Sequence, residues 1–165
     1  FRKSQKMKLI AHRGLVGGPD KSLENRPDVV LDTLSAGFDC EVDLWIVDDC
    51  LYLGHDRPQH NVTVDFIATS GLWIHAKSLA TLAWLAKIPY ALNYFWHQTD
   101  DYTITSQRYI WVYPGKPLTD KCIMVMPEWE DATLNNVKDV KCYGVCSDFV
   151  QLIQQDFNKY QKEVL

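Results

Sequence analysis

Two carboxylates placed two residues apart inside an apolar run constrain this chain more than any other feature. Residues 40–47 read Cys-Glu-Val-Asp-Leu-Trp-Ile-Val. This has the pattern of a β-strand, in which successive side chains point to opposite faces. Glu41 and Asp43 therefore share one face, and Cys40, Val42 and Leu44 share the other. A strand this apolar is expected to be buried on both sides, where unpaired carboxylates must be neutralised or bound. Asp48-Asp49 has the chemistry of a hairpin tip. A turn centred there folds the chain back, sets Gly54 roughly opposite Asp43 and returns His55 beside the two acids.

The residues upstream point to the same place. Residues 8–11 form a short apolar run stopped by His12-Arg13-Gly14, a buried strand with polar residues at its C-terminal end. Residues 16–20 are loop, and Pro27 opens a helix with an apolar face ended by Gly37. Two carboxylates at i and i+2 on a strand can bind a hard cation. Two histidines near them can take and give protons at neutral pH, and an adjacent arginine suits a phosphate. Together these residues describe a metal-assisted phosphoryl-transfer site.

His12-Arg13-Gly14, Glu24-Asn25, Glu41-x-Asp43 and His55-Asp56, in this order, resemble the glycerophosphodiester phosphodiesterase family, part of the wider group with phosphatidylinositol-specific phospholipase C-like barrels. The likeness continues at Ile74-His75-Ala76-Lys77-Ser78 and at Gly144-Val145-Cys146-Ser147-Asp148-Phe149. It implies a metal-dependent phosphodiesterase acting on glycerophosphodiesters by hydrolysis or cyclising transfer. His12 and His55 would be the general acid and base, in either order. Arg13 and Lys77 would bind the phosphate, and Glu41 and Asp43 a divalent ion (Mg²⁺, Mn²⁺ or Ca²⁺). Glu24, Asn25, His97 and Asp148 would support the site or line its mouth. His75 departs from the family, which has a glutamate there as third metal ligand. An imidazole favours Mn²⁺ and other borderline ions; otherwise water fills that position. Two other readings follow from the same residues: a barrel that binds a phosphate ligand without turnover, and a metal-independent phospholipase C-like phosphotransferase.

Further strands are expected at 73–77, 91–96, 122–126 and 143–147, and helices at 79–87, 132–138 and 151–164, the last with Leu152, Ile153, Phe157 and Tyr160 as its apolar stripe. Residues 102–105 and 109–113 are either successive strands or a hairpin. Strands alternating with helices, with polar residues at their C-terminal ends, lead to the expectation of an α/β fold, a compact irregular (β/α)8 TIM-like barrel. Such barrels usually need ~250 residues, and this chain has 165, so several crossovers must be shortened. Residues 7–165 read as one domain and 1–6 as an added or disordered N-terminal extension, with Met7 as the start. The net charge of −4 gives no basic field for nucleic acid; the partner that the resemblance implies is a small-molecule phosphodiester. Five cysteines at wide spacing imply reduced thiols and a cytoplasmic protein. No secretory leader or transmembrane segment is expected.

Overall fold

The computed structural model describes residues 6–163; of the expected extension, residues 1–5 lie outside the described part. The strands are β1 (Lys8–Ala11), β2 (Asp39–Val47), β3 (Cys50–Leu53), β4 (His60–Val62), β5 (Leu72–Ala76), β6 (Tyr94–Phe95), β7 (Tyr102–Ile104), β8 (Ile110–Val112), β9 (Cys122–Val125) and β10 (Gly144–Ser147). The helices are α1 (Pro27–Ser35), α2 (Val64–Ile67), α3 (Leu79–Leu85) and α4 (Val150–Glu163). None is long and apolar enough to cross a membrane.

All ten strands belong to one sheet. Seven of them run parallel in the order β6-β5-β2-β1-β10-β9-β8. β2 is its hub because its nine residues reach three neighbours: β1 at its start, β5 through its middle and β3 at its end. The β3–β4 pair extends β2 as an antiparallel ribbon, and β7 pairs antiparallel with β8.

Strands from opposite ends of this order meet, so the sheet is curled into a half-barrel. Phe95 on β6 stacks on Trp111 of β8 with ring centroids 4.5 Å apart, and Trp73 on β5 lies 6.0 Å from the same ring. The Ser106 N–H donates to the Tyr94 carbonyl at 2.8 Å. Ile10, Ile123 and Cys146 complete this buried inner layer. Burying each large side chain contributes ~1.5–3 kcal/mol, and each aromatic pair ~0.5–1.5 kcal/mol beyond that. On the outer face, Cys40, Val42, Leu44, Ile74 and Val145 pack with Val30 of α1, Leu85 of α3 and Ile153 of α4.

The expected (β/α)8 barrel is not formed. The sheet is mixed and strand-dominated, with only four α-helices among the described residues. The cause is the amount of chain between strands. α1 and α3 sit in the β1–β2 and β5–β6 connections, with Pro27 at the first turn of α1 and the Ser78 Oγ accepting from the Thr81 N–H at the start of α3. The β8–β9 connection, residues 113–121, falls short of the roughly 10–12 residues a helical crossover needs and carries Pro114, Gly115 and Pro117. The helix expected at 132–138 is replaced by turns, with Leu134 at φ +58° and a short 3-10 turn at Val137–Asp139. Residues 102–112 are the hairpin β7–β8, turning at Arg108 (φ +66°). In α4, Ile153 and Phe157 face the core as expected, but Leu152 and Tyr160 are exposed.

Candidate active site

The parallel strands end on one rim, and the loops leaving them carry the polar residues. β1 runs into a 3-10 turn, His12–Gly14, with Arg13 at φ +53° and Gly14 at φ +80°. A Cβ at Gly14 would sit 3.0 Å from the Val30 side chain, so glycine lets the turn lie against α1. The Arg13 N–H then donates to Glu41 Oε2 at 3.2 Å, and its Nη1 to Glu24 Oε2 at 2.9 Å. Its Nε lies 3.3 Å from Asp43 Oδ2. Asn25 ties the same loop to β2. Fully buried, it donates from Nδ2 to Asp43 Oδ2 (2.9 Å), accepts the Asp43 N–H at Oδ1 (3.0 Å), and donates its own N–H to the Arg13 carbonyl (3.0 Å).

Glu41 and Asp43 project into the curl above the inner apolar layer and are 2% and 1% exposed. The parallel register sets Asp43 opposite His75. His75 Nδ1 is 3.3 Å from Asp43 Oδ1 and 3.9 Å from Glu41 Oε1. Its Nε2–H donates to the His97 carbonyl at 2.8 Å, and its ring stacks on Phe95. A carbonyl can only accept, so Nε2 carries a proton; Nδ1 faces the two carboxylates, donating to Asp43 when the ring is protonated and offering its lone pair to an ion when it is neutral. Metal-ligating histidines are held in this way. One ligand atom from each of Glu41, Asp43 and His75 lies within 4.8 Å of the others.

Electrostatics fit a cation at this point. Burial alone would raise the Asp43 pKa, but His75, Lys77 and Arg13 hold the carboxyl well below the usual range; Lys77 Nζ is 3.5 Å from its Oδ1. Burial and the charge of Asp43 push Glu41 up, offset only in part by His12, His75 and Arg13. A buried pair in which one acid is ionised and the other is driven toward neutrality gains from a cation between them. Two carboxylates and an imidazole suit Mn²⁺, Zn²⁺ or a similar borderline ion.

His12 stands beside this cluster. Its Nδ1 is 2.8 Å from Asp148 Oδ1, and its Nε2 is 4.0 Å from Glu41 Oε2. Burial pulls its pKa down, but the Asp148 hydrogen bond and the Glu41 charge outweigh that, so it ends raised. Asp148 is itself fixed: its N–H donates to Glu128 Oε1 at 2.9 Å, and the neighbouring Ser147 Oγ donates to Glu128 as well. Glu128 was not among the candidates read from the sequence. The available signal was its place just past the apolar run 122–126, the same strand-end position as His12 and Asp148.

The hairpin brings in His55. Asp48 and Asp49 take φ +48° and +60°, the left-handed pair of a tight β-turn. The Gly54 N–H donates to the Asp43 carbonyl at 3.1 Å. A Cβ at Gly54 would fall 2.0 Å from the Arg57 carbonyl oxygen, so this bend requires glycine. His55 Nδ1 pairs with Asp56 Oδ1 at 2.8 Å. His12, Arg13, Glu41, Asp43, His55 and His75 line one cavity of about 150 Å³, with His97, Trp111, Tyr113 and Trp129 around it. Glu24, Asn25 and Asp148 stand behind it, on Arg13, Asp43 and His12, and Lys77 reaches Asp43 from outside the lining. The His97 ring bonds the Asp100 carbonyl at the rim.

No protein-family model, curated protein or solved structure matches the chain. The resemblance to glycerophosphodiester phosphodiesterases therefore rests on the motifs themselves.

Proposed function

We propose that the protein is a metal-dependent phosphodiesterase that cleaves small glycerophosphodiesters. One observation carries this reading. Glu41, Asp43 and His75 converge on one point of a cavity that His12 and His55 also line, with His75 Nδ1 turned toward the two carboxylates. Glu41, Asp43 and His75 would hold the ion. When bound, it would polarise a phosphoryl oxygen and an adjacent hydroxyl. Arg13 and Lys77 supply positive charge beside the same cavity, which stabilises charge building on the phosphoryl group. In the neutral ring, Asp148 accepts the His12 Nδ1–H and Asp56 the His55 Nδ1–H, leaving each Nε2 free to exchange a proton. One imidazole takes the proton of the attacking water or hydroxyl as its oxygen bonds phosphorus. The other gives a proton to the leaving alkoxide as the second P–O bond breaks. The cavity's size and the net charge of −4 support a small substrate over nucleic acid, and the free thiols support a cytoplasmic setting.

A metal-independent phosphotransferase draws on a different observation, the Arg13 Nε 3.3 Å from Asp43 Oδ2, where a guanidinium already pairs with one of the two carboxylates. Hydrolysis of glycerophosphocholine or bis(p-nitrophenyl) phosphate, with Mn²⁺ and then with excess chelator, separates the two. The metal-dependent reading requires turnover that chelation stops and Mn²⁺ restores. Turnover untouched by chelator supports the arginine reading, and none under either condition leaves neither standing.

A further inference from the structure

β9 keeps its pairing for one residue past its end. Met126, at φ +47°, donates its N–H to the Cys146 carbonyl at 2.8 Å, and Pro127–Trp129 then turns as a 3-10 helix beside the end of β10. The turn sends two side chains different ways. Trp129 stands on the cavity rim, 65% exposed. Glu128 reaches β10, where its Oε1 accepts the Asp148 N–H at 2.9 Å and its two oxygens face the Ser147 Oγ at 3.0 and 2.9 Å. The buried Ser147 Oγ also accepts the Phe149 N–H at 2.9 Å, and the Asp148 carbonyl accepts the Gly18 N–H at 2.9 Å. The peptide groups on both sides of Asp148 are held in this way, and its Oδ1 meets His12 Nδ1 at 2.8 Å.

A carboxylate is a costly means of fixing a strand end. Among the described residues, no lysine, arginine or histidine nitrogen lies within 4.0 Å of the Glu128 carboxylate. The residue it holds is itself an acid, and neighbouring carboxylates disfavour each other's charge. What offsets this is two charge-assisted hydrogen bonds, which are shorter and stronger than neutral ones, placed on the one residue that bonds the buried side of the His12 ring.

We propose that Glu128 is a positioning residue for His12. By fixing Asp148 it keeps the proton of the neutral ring on Nδ1 and leaves Nε2 bare toward the cavity. The competing arrangement is at hand, because Nε2 lies 4.0 Å from Glu41 Oε2. With Asp148 displaced, the proton moves to Nε2 and faces Glu41, and that nitrogen can no longer accept another. That His12 transfers a proton to or from substrate rests on the phosphodiesterase reading; control of its tautomer by Glu128 does not.

The test compares wild type, Glu128→Ala and Glu128→Gln, which keeps an acceptor oxygen. Long-range ¹H–¹⁵N spectra of metal-free, ¹⁵N-histidine-labelled protein, at alkaline pH where the rings are neutral, read the tautomer; the His12 signal is the one lost in His12→Ala. Wild type and Glu128→Gln should show Nδ1 protonated, and Glu128→Ala a mixture or the Nε2–H form. With Mn²⁺ and bis(p-nitrophenyl) phosphate, Glu128→Ala should lower kcat about 10–100-fold, the usual effect of removing an outer partner that orients a site histidine. KM and Mn²⁺ affinity should stay at wild-type values, and Glu128→Gln should keep most of kcat. Should Glu128→Ala misfold, Ser147→Ala removes the hydroxyl between Glu128 and the Phe149 N–H and should shift the tautomer in the same direction. A tautomer shift without turnover in any protein keeps the positioning assignment and defeats the phosphodiesterase reading. A His12 tautomer unchanged in the folded variant overturns the assignment. So does a fall in kcat matched by loss of Mn²⁺ sites, which makes Glu128 a structural residue only.

Discussion

Asn25→Ala should destabilise the protein by about 3–5 kcal/mol. Asn25 is fully buried and joins the β1–α1 loop to the strand that carries both acids. Its hydrogen bond to the Asp43 carboxylate is charge-assisted, a type worth ~1.5–3 kcal/mol, and stranding the Asp43 N–H costs ~1–3 kcal/mol more. Asn25 also sits at φ +59°, where alanine adds roughly 1–2 kcal/mol of strain. The terms overlap because all of them act through one loop, which holds the total near the stated range. That is a large share of the 5–15 kcal/mol typical of a whole domain. Urea unfolding followed by tryptophan fluorescence reads it directly. Asn25→Gly, which removes the side chain but accepts the φ, should lie closer to wild type by about the strain term. A loss below ~1 kcal/mol for Asn25→Ala would refute the claim that this residue, rather than the sheet alone, sets the position of Asp43.

Other outcomes follow from the site geometry. His12→Ala and His55→Ala should each lower turnover by roughly 10²–10⁴ while leaving circular dichroism unchanged; near-normal activity in either folded variant contradicts the acid–base assignment. His75→Glu should move the metal preference from Mn²⁺ toward Ca²⁺, because it replaces a borderline ligand by a charged oxygen ligand; superimposable metal-dependence curves would place His75 outside the ligand set. At pH 8, the thiol reagent DTNB should find one fast cysteine, the exposed Cys50, and all five only after denaturation. Burial pushes Cys142 up to about 11, and Cys40 and Cys146 higher still, so all three stay protonated and slow. Fast reaction at Cys40 or Cys146 would mean that the core opens.

The centre of the site was legible because strand alternation leaves little choice. With Cys40, Val42 and Leu44 committed to one face, Glu41 and Asp43 had to share the other, and the Asp48-Asp49 turn had to bring Gly54 back opposite Asp43. Capping and proline signals placed the starts of α1 and α3 for equally local reasons. What failed was the architecture, because closing a sheet depends on contacts far apart in sequence. Phe95 and Trp111 seal the curl, yet nothing local to either pairs them. Residues 132–138 carry Leu134 and Val137 at a helical spacing, but both are buried from a turn. Polar residues at strand ends mark any run of parallel strands that share a rim, so they could not distinguish a complete (β/α)8 barrel from this half-barrel. Glu128 escaped notice because it acts through Ser147 and Asp148, across a connection whose path only the fold defines.

All of the chemistry proposed for this site depends on Glu41, Asp43 and His75 holding one divalent ion. Calorimetric titration of Mn²⁺ into metal-free protein tests it without reference to any substrate. One site per chain is expected in the wild type, with affinity reduced at least tenfold in Asp43→Asn and in Glu41→Gln while both variants remain folded. Absence of saturable binding by the wild type, or equal affinity in all three proteins, would contradict it.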